Sequence, residues 1–297
     1  MILITIETTI DSKAQQRLYD IVNTNDYIQY VNDKIQNAVV MLDTKTGAVR
    51  AVNGGRKQTT LLGYNRATDN SRSTGSTIKP VIDYGPAIEY LNYSTGQTIM
   101  DQRTTYSNGV ELNNWDFSHK GAMTLRTALV YSRNTTALQT FKAVGETNIK
   151  SFLNNLDIQI KNDGQDYLVE SNSIGADISP IKMAAAYATF GNYGTYSKPY
   201  TVTKVTTRDG QVTEFKPEQK QAMKDSTAYM ITDVLKDSFK YGFATQAAIP
   251  GLPTAAKTGS SNYTVEQKRA MGASDYEDII PDSWFIGYST DYTISAW

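Results

Sequence analysis

Three short strings supply the side chains in this chain that can do covalent chemistry: Ser76-Thr77-Ile78-Lys79, Ser132-Arg133-Asn134 and Lys257-Thr258-Gly259. A free serine hydroxyl is a poor nucleophile until a base stands beside it. Lys79, three residues after Ser76, falls on the same helical face about one turn away. Lysine serves as a base once burial or a nearby cation lowers its pKa toward neutrality. Gly75 allows close backbone approach just before the serine. Pro80 lacks an N–H and suits a first helical turn, which places Ser76 at a helix N-terminal edge. Backbone N–H groups there face a developing oxyanion. Ser132 and Asn134 fall at a break between two helical patterns, where polar side chains either face a cleft or cap the second helix. Lys257-Thr258-Gly259 lies in an apolar run that reads as a strand. Alternation puts Lys257 and Gly259 on one face and Thr258 on the other. Gly259 is expected to leave room for a substrate backbone, and the Ser260 N–H to supply a second oxyanion donor. Thr258 and Ser260 suit a carboxylate, with Lys257 adding positive potential.

Competing strings have local explanations. Ser179-Pro180-Ile181-Lys182 repeats the first spacing, but serine followed by proline is a helix start. Lys45-Thr46-Gly47 repeats the third, inside a predicted hairpin turn. Ser260-Ser261-Asn262 repeats the second beside the third. His119 is the one histidine, and there is no cysteine. Serine–histidine catalysis and a thiolate or histidine zinc site therefore have almost no residues to draw on. No cofactor is implied, and no phosphate-binding glycine loop occurs.

The elements that must position these residues follow from pattern. Met1 to Ile6 alternates like a strand, and Asp11 caps a helix over 12–22. Residues 38–42 and 48–52 form a hairpin ended by Gly54-Gly55. Helices are predicted over 76–89, over 124–145 with a break near Arg133-Asn134, over 179–190 and over 227–241. A second hairpin covers 198–215 with Asp209-Gly210 at its turn. Strands return at 254–258, 284–288 and 293–297. Strands at both ends with helices between, without regular βαβ alternation or repeats, give an α+β fold with a mainly antiparallel sheet.

The chain has 297 residues, 40% apolar and 20% charged, enough for a sizeable core in one large domain or two small ones. A net charge of -1 gives no reason to expect a nucleic-acid partner. No segment approaches the roughly 18 apolar residues of a membrane helix, and the first residues lack the form of a signal peptide. The sequence ends at Trp297 inside a predicted strand, which reads as a fragment whose C-terminal part, and with it a partner for a raw sheet edge, lies outside.

Together the three strings and their flanks resemble the transpeptidase domains of class A penicillin-binding proteins. The similarity runs over nearly the whole chain: TIETTIDSKAQ, RSTGSTIKP, NWDFSHKGAMTLRTALVYSRNTTA, ISPIKMAAAYATFGNYGTYSKP, AAKTGSSNYT and DSWFIGYSTDY. The resemblance implies one domain over 1–297 with the serine β-lactamase-like transpeptidase fold. It makes Ser76 the acylated nucleophile, Lys79 its base, and Ser132 and Asn134 the proton relay and substrate positioners. Lys257, Thr258 and Ser260, with Gly259 in their strand, recognise a terminal carboxylate. Asn262 after that strand is a further substrate contact, and Trp115 and Tyr263 are candidates to line the groove. The implied partners are a peptidoglycan stem ending in D-Ala-D-Ala, an amine acceptor on a neighbouring stem, and β-lactams that acylate Ser76. An upstream glycosyltransferase domain and a membrane anchor, placing the protein on the extracytoplasmic face of a bacterial membrane, are expected outside this chain. One local departure is Tyr241-Gly242-Phe243-Ala244-Thr245, where the family favours a Gly-Thr-Gly turn. The rival readings are a penicillin-sensing receptor domain, a D,D-carboxypeptidase and a β-lactamase. For the last, Glu170 lies at a fitting separation from Ser132 but lacks the expected glutamate-to-asparagine spacing.

Overall fold

Two early strands and three late ones form one five-stranded antiparallel sheet. In the computed structural model, which describes residues 4–274 and 279–297, a hairpin of β1 (Val39–Asp43) and β2 (Val49–Asn53) joins three late strands. These are β3 (Ala255–Ser260), β4 (Ser283–Tyr288) and β5 (Tyr292–Ala296), in the spatial order β3-β4-β5-β1-β2. Period-2 burial explains the pairing: Val40 and Leu42 on β1 and Trp284, Ile286 and Tyr288 on β4 are buried in alternation. Reciprocal 2.9 Å hydrogen bonds between Ala38 and Trp297 extend the β1–β5 pairing. β5 is thus an inner strand, and the raw edge expected there from the sequence does not arise. The edges of this sheet are β3 and β2.

Local chemistry sets the turns and helix starts. Asp43 Oδ1 accepts from the Thr46 N–H at 2.9 Å and Gly47 has φ +74°, so the first Lys-Thr-Gly string is turn structure. Asp11 accepts from the Lys13 and Ala14 N–H groups, each at 2.9 Å, and opens α1 (Ser12–Asn23), which packs on β2. The hairpin at 198–215 forms with Gly210 at φ +83°, and its strand Val202–Thr206 pairs with Thr5–Thr8. Met1 to Leu3 of the predicted first strand lie outside the described residues.

Seven more α-helices follow among the described residues: α2 (Gly85–Leu91), α3 (Leu125–Val130), α4 (Asn134–Val144), α5 (Glu146–Asn155), α6 (Pro180–Gly191), α7 (Asp225–Lys236) and α8 (Val265–Ala270). Helix α6 is the central one. Every residue from Met183 to Phe190 is buried, as expected for a helix without a polar face, and it lies across β1, β4 and β5. Ser179 takes its N-cap position and Pro180 its first turn, so the second Ser-x-x-Lys string is a helix start, although the Ser179 side chain makes no capping bond. Tyr187 of α6 donates to Thr77 O at 2.7 Å, which ties the central helix to the segment carrying Ser76.

Two predicted helices differ in detail. The one over 76–89 is a 3-10 turn (Gly75–Ile78), a π turn (Pro80–Tyr84) and then α2. Pro80 donates no hydrogen bond, and its carbonyl takes the Gly85 N–H in the wider π register. The helix predicted over 227–241 ends at Lys236. It continues as a 3-10 turn, Asp237–Phe239, whose buried Asp237 carboxylate is held by Arg126 Nη1 at 2.7 Å.

Candidate active site

The three motif segments converge beside edge strand β3. Ser76 is half-buried in the 3-10 turn, and its hydroxyl carries no hydrogen bond among the described residues. Lys79, fully buried, directs Nζ at the second motif. It donates to Ser132 O and Asn134 Oδ1, each at 2.7 Å, and lies 3.3 Å from Arg133 O and 3.4 Å from Ser132 Oγ. Lys257, only 2% exposed, donates from the other side to Ser132 Oγ at 2.9 Å and to Thr258 O at 2.9 Å. One hydroxyl therefore sits between two buried amines, one three residues along the chain from Ser76 and one on the strand.

Burial dominates the electrostatics. It pushes Lys79 well below the ordinary lysine value, and the charges of Lys257 and Arg133 act in the same direction. Burial alone lowers Lys257 to about 7. Asp83, one turn beyond Lys79 and fully buried, has both carboxylate oxygens without a hydrogen-bond partner, and burial raises it well above the usual carboxylate range. A buried carboxyl without donors is favoured as the neutral acid. Any charge on Asp83 opposes the lowering of Lys79, but burial disfavours that charge, and the net shift of Lys79 stays downward.

The middle residue of Ser132-Arg133-Asn134 proves to be structural, a role the sequence reading missed. Ser132 adopts φ +55°, a left-handed conformation uncommon for serine. Arg133 behind it is buried, with Nε at 2.9 Å from Asp101 Oδ2 and Nη1 at 2.9 Å from Asp116. Its Nη2 donates to Ser118 O. Asn114 accepts from the Asn134 N–H at 2.7 Å and donates to Asp101 at 2.8 Å, while Asn134 Nδ2 donates to Asn113 O at 2.8 Å. A second hub is Asp282, which takes Arg72 Nε at 2.8 Å, Ser261 Oγ at 2.6 Å and Trp297 Nε1 at 2.8 Å. It joins the approach to Ser76, the exit from β3 and the end of β5. Ser261 is thereby committed, so Ser260-Ser261-Asn262 is no second proton-relay turn. The run of polar residues around Trp115 was the available signal for the first hub. For Asp282 we see none.

Gly259 is needed by the fold itself. A Cβ there would stand 2.5 Å from Thr74 O and 2.8 Å from Thr77 N, so the missing side chain makes room for the Ser76 turn. Gly75, at φ +49°, meets Ser260 in the same way, with a Cβ position 2.8 Å from Ser260 N. The two glycines let β3 and the Ser76 turn touch backbone to backbone. Gly259→Ala is expected to force them apart, at a cost of about 1–3 kcal/mol from overpacking, and to slow acylation of Ser76. Thermal melts and acylation rates of the variant check both effects.

The remaining candidates lie around this centre. Thr258 is half-buried, and Ser260 and Asn262 are exposed. Trp115, 55% exposed, is fixed by its indole N–H to Tyr131 O at 3.1 Å. Tyr263 is half-buried beyond β3. His119 makes no hydrogen bond to a motif side chain. Glu170 accepts from the Ser107 N–H at 2.7 Å and pairs with Lys142 at 3.1 Å, with no motif residue among its partners. A hollow of about 250 Å³ bordered by Lys236, Phe239, Ile249 and Leu252 contains none of the motif residues. Among the described residues no cluster suited to a metal ion occurs.

A serine at a helix start, a buried lysine three residues on, and a second buried lysine that ties the Lys-Thr-Gly edge strand to Ser132 make up the candidate site. The family model described as "Penicillin binding protein transpeptidase domain" matches residues 37–294, and the chain belongs to that family. It is 41% identical to penicillin-binding protein 1A/1B of Bacillus subtilis (strain 168), over 98% of this chain and 32% of that protein. It is 40% identical to penicillin-binding protein 1A of Streptococcus oralis, over 98% of this chain and 47% of that protein. The chain thus spans less than half the length of these relatives. The resemblance to class A penicillin-binding proteins drawn from the motifs is borne out. The fold matches the penicillin-binding protein PonA1 from Mycobacterium tuberculosis with TM-score 0.84 at 23% identity, covering 99% of this chain and 76% of that one. It also matches the complex of PonA1 with penicillin V, at TM-score 0.83, 23% identity and the same coverage. The α+β transpeptidase fold expected from the sequence is the one observed.

Proposed function

We propose that this chain is a D,D-transpeptidase domain extending over residues 1–297. It cross-links peptidoglycan stem peptides through an acyl-enzyme on Ser76 and is itself acylated by β-lactams. The observation that carries the reading is Ser132 Oγ held between Lys79 Nζ and Lys257 Nζ, beside the Ser76 turn. Ser76 Oγ attacks the carbonyl carbon between the two terminal D-Ala residues, and its proton passes to Lys79 Nζ. The N–H groups of Ser76 and Ser260 take the oxyanion. Collapse breaks the C–N bond, and the departing D-Ala receives its proton through Ser132. An amine of a neighbouring stem then attacks the ester, gives up a proton, and Ser76 regains its hydrogen. Lys257, Thr258 and Ser260 hold the donor's terminal carboxylate, Asn134 and Asn262 its backbone, and Trp115 borders the groove. A β-lactam follows the same first half, but its leaving nitrogen stays tethered, so the ester persists.

The relatives' greater length supports an upstream glycosyltransferase domain and a membrane anchor outside this chain. The site would then work on the extracytoplasmic face of the bacterial membrane. No helix among the described residues is long and apolar enough to cross a membrane. Glu170, engaged by Ser107 and Lys142, gives no support to hydrolytic turnover of the β-lactamase kind.

Intact-mass spectrometry after exposure to a penicillin, followed over time with peptide mapping, tests the reading. A persistent one-drug adduct on the Ser76 peptide, with D-Ala release from a stem peptide that depends on added amine, is expected. D-Ala release driven by water alone would make the chain a carboxypeptidase, and a stable adduct without any release a sensor. A transient adduct with accumulating hydrolysed drug would make it a β-lactamase. A folded chain that forms no adduct overturns the assignment.

A further inference from the structure

Two contacts bridge the walls of the cleft at different depths. At the bottom, Lys257 of β3 reaches Ser132 at 2.9 Å. At the surface, the rings of Trp115 and Phe243 meet edge to face, centroids 5.3 Å apart and planes at 86°. The two rings belong to different walls. Trp115 is tethered to Tyr131 O, the residue before Ser132, and its loop is bound to Asn134 through Asn113 and Asn114. Phe243 follows the 3-10 turn 237–239, which packs on β3. Its loop is anchored by the Ala244 N–H on Ser238 O at 3.1 Å, and Gly242 lies so close to Ser238 that a Cβ would stand 2.7 Å from its Cα.

Both rings are half exposed, Trp115 at 55% and Phe243 at 46%. Two large apolar side chains kept at the surface, touching each other and each held by a backbone anchor, are not packing a core.

Resting on the acyl-transfer reading above, we propose that Trp115 and Phe243 form an aromatic clasp across the mouth of the cleft. It selects acyl donors by the width of the side arm next to the reacting carbonyl. Slim, flexible aliphatic arms pass or lie against the ring faces, whereas branched or ortho-substituted aryl arms must part the clasp. Phe243 is then a specificity-determining residue, acting on which donor reaches Ser76 and not on the bond-breaking step.

The test compares acylation of Ser76 by two penicillins with the same bicyclic nucleus, one with a benzyl side arm and one with a dimethoxyphenyl arm. Second-order acylation rate constants are measured for wild type, Phe243→Ala, Phe243→Tyr and Trp115→Ala. Opening the clasp with Phe243→Ala or Trp115→Ala is expected to raise the bulky-to-slim rate ratio by about tenfold, the scale on which pocket shape discriminates. Phe243→Tyr keeps the ring contact and should keep the wild-type ratio. A general loss of stability moves both rates together, so an unchanged ratio in Phe243→Ala and Trp115→Ala overturns the clasp. If wild type is acylated by neither penicillin, the acyl-transfer reading itself fails and the clasp with it.

Discussion

Lys79→Met should cut the rate of Ser76 acylation by about a thousandfold, within the range that a positioned general base contributes, while leaving the chain folded. Methionine keeps the length and apolar volume of the side chain but cannot take the serine proton. The substitution also removes a group that is costly to bury in its charged form, so the melting temperature is expected to hold near the wild-type value. It leaves Ser132 O and Asn134 Oδ1 without their lysine donor, and a moderate loss from these two acceptors is the opposing term. Stopped-flow acylation beside a thermal melt separates the effects. A wild-type acylation rate in Lys79→Met would sink the role of base.

The same lysines set the pH dependence. Acylation needs Lys79 neutral and Lys257 charged, and both amines touch Ser132 Oγ, so the two titrate as a coupled pair. The rate rises as Lys79 loses its proton, far below the ordinary lysine value of 10.5. It falls on the alkaline side as Lys257 loses its own near pH 7. A bound carboxylate moves that second limb upward. The slope of stability with pH has the same sign as for a depressed carboxylate, in a higher pH window. A folded-state lysine pKa below the unfolded one means that the unfolded chain binds more protons between the two values. Stability therefore rises with pH from about 7 toward 10.5. Denaturant melts along that window should show a positive slope, smaller in Lys79→Met.

How much of this was legible in the sequence depended on whether the cause was local. The cap at Asp11, the turn at Gly47 and the start of α6 at Pro180 are short-range chemistry, and each stands where the sequence put it. The break before Asn134 was visible too, because Ser132 and Arg133 interrupt two helical patterns. What could not be seen is what those residues meet. Arg133 pairs with an aspartate 32 positions away, and Asp282 with an arginine 210 positions away. Nothing in the spacing of either string specifies a partner at that range. Gly259 shows the same limit from the other side. A strand glycine announces a close approach, but whether by substrate or by the chain's own backbone depends on the turn at Thr74–Thr77, packed against β3 from far upstream. The helix over 76–89 was placed correctly as a helix, while its 3-10 and π register follows from a proline near its start and the contacts around it.

Arg133 is where this hidden layer should be most costly to disturb. Its guanidinium is 2% exposed and Asp101 is fully buried, so removing the arginine alone strands a carboxylate in the interior. Burial works against the ionised form of Asp101, but hydrogen bonds from Thr135, the Lys120 N–H and Asn114, together with the Arg133 charge, hold its pKa below the usual 3.8. Breaking a buried pair from one side costs about 3–5 kcal/mol, and Arg133→Ala is expected to lose that much in denaturant melts. A depressed carboxylate contributes stability above its unfolded pKa and loses it as pH falls through the folded value. The wild-type chain should therefore weaken below about pH 4, and Arg133→Ala should lose less there, having already lost the pair. Removing both charges with Arg133→Met and Asp101→Asn should recover part of the stability, because the carboxylate left without its arginine is then Asp116, which is partly exposed and keeps its Ser118 hydrogen bonds. Acylation should not recover with it. The left-handed Ser132 turn stays in place because Arg133 grips Asp101, Asp116 and Ser118 O behind it. Without that grip, Ser132 Oγ loses its place between the two lysines. If the double variant regained both stability and acylation, the arginine would be a stability element only, and the turn would have to be held by Asn114 alone.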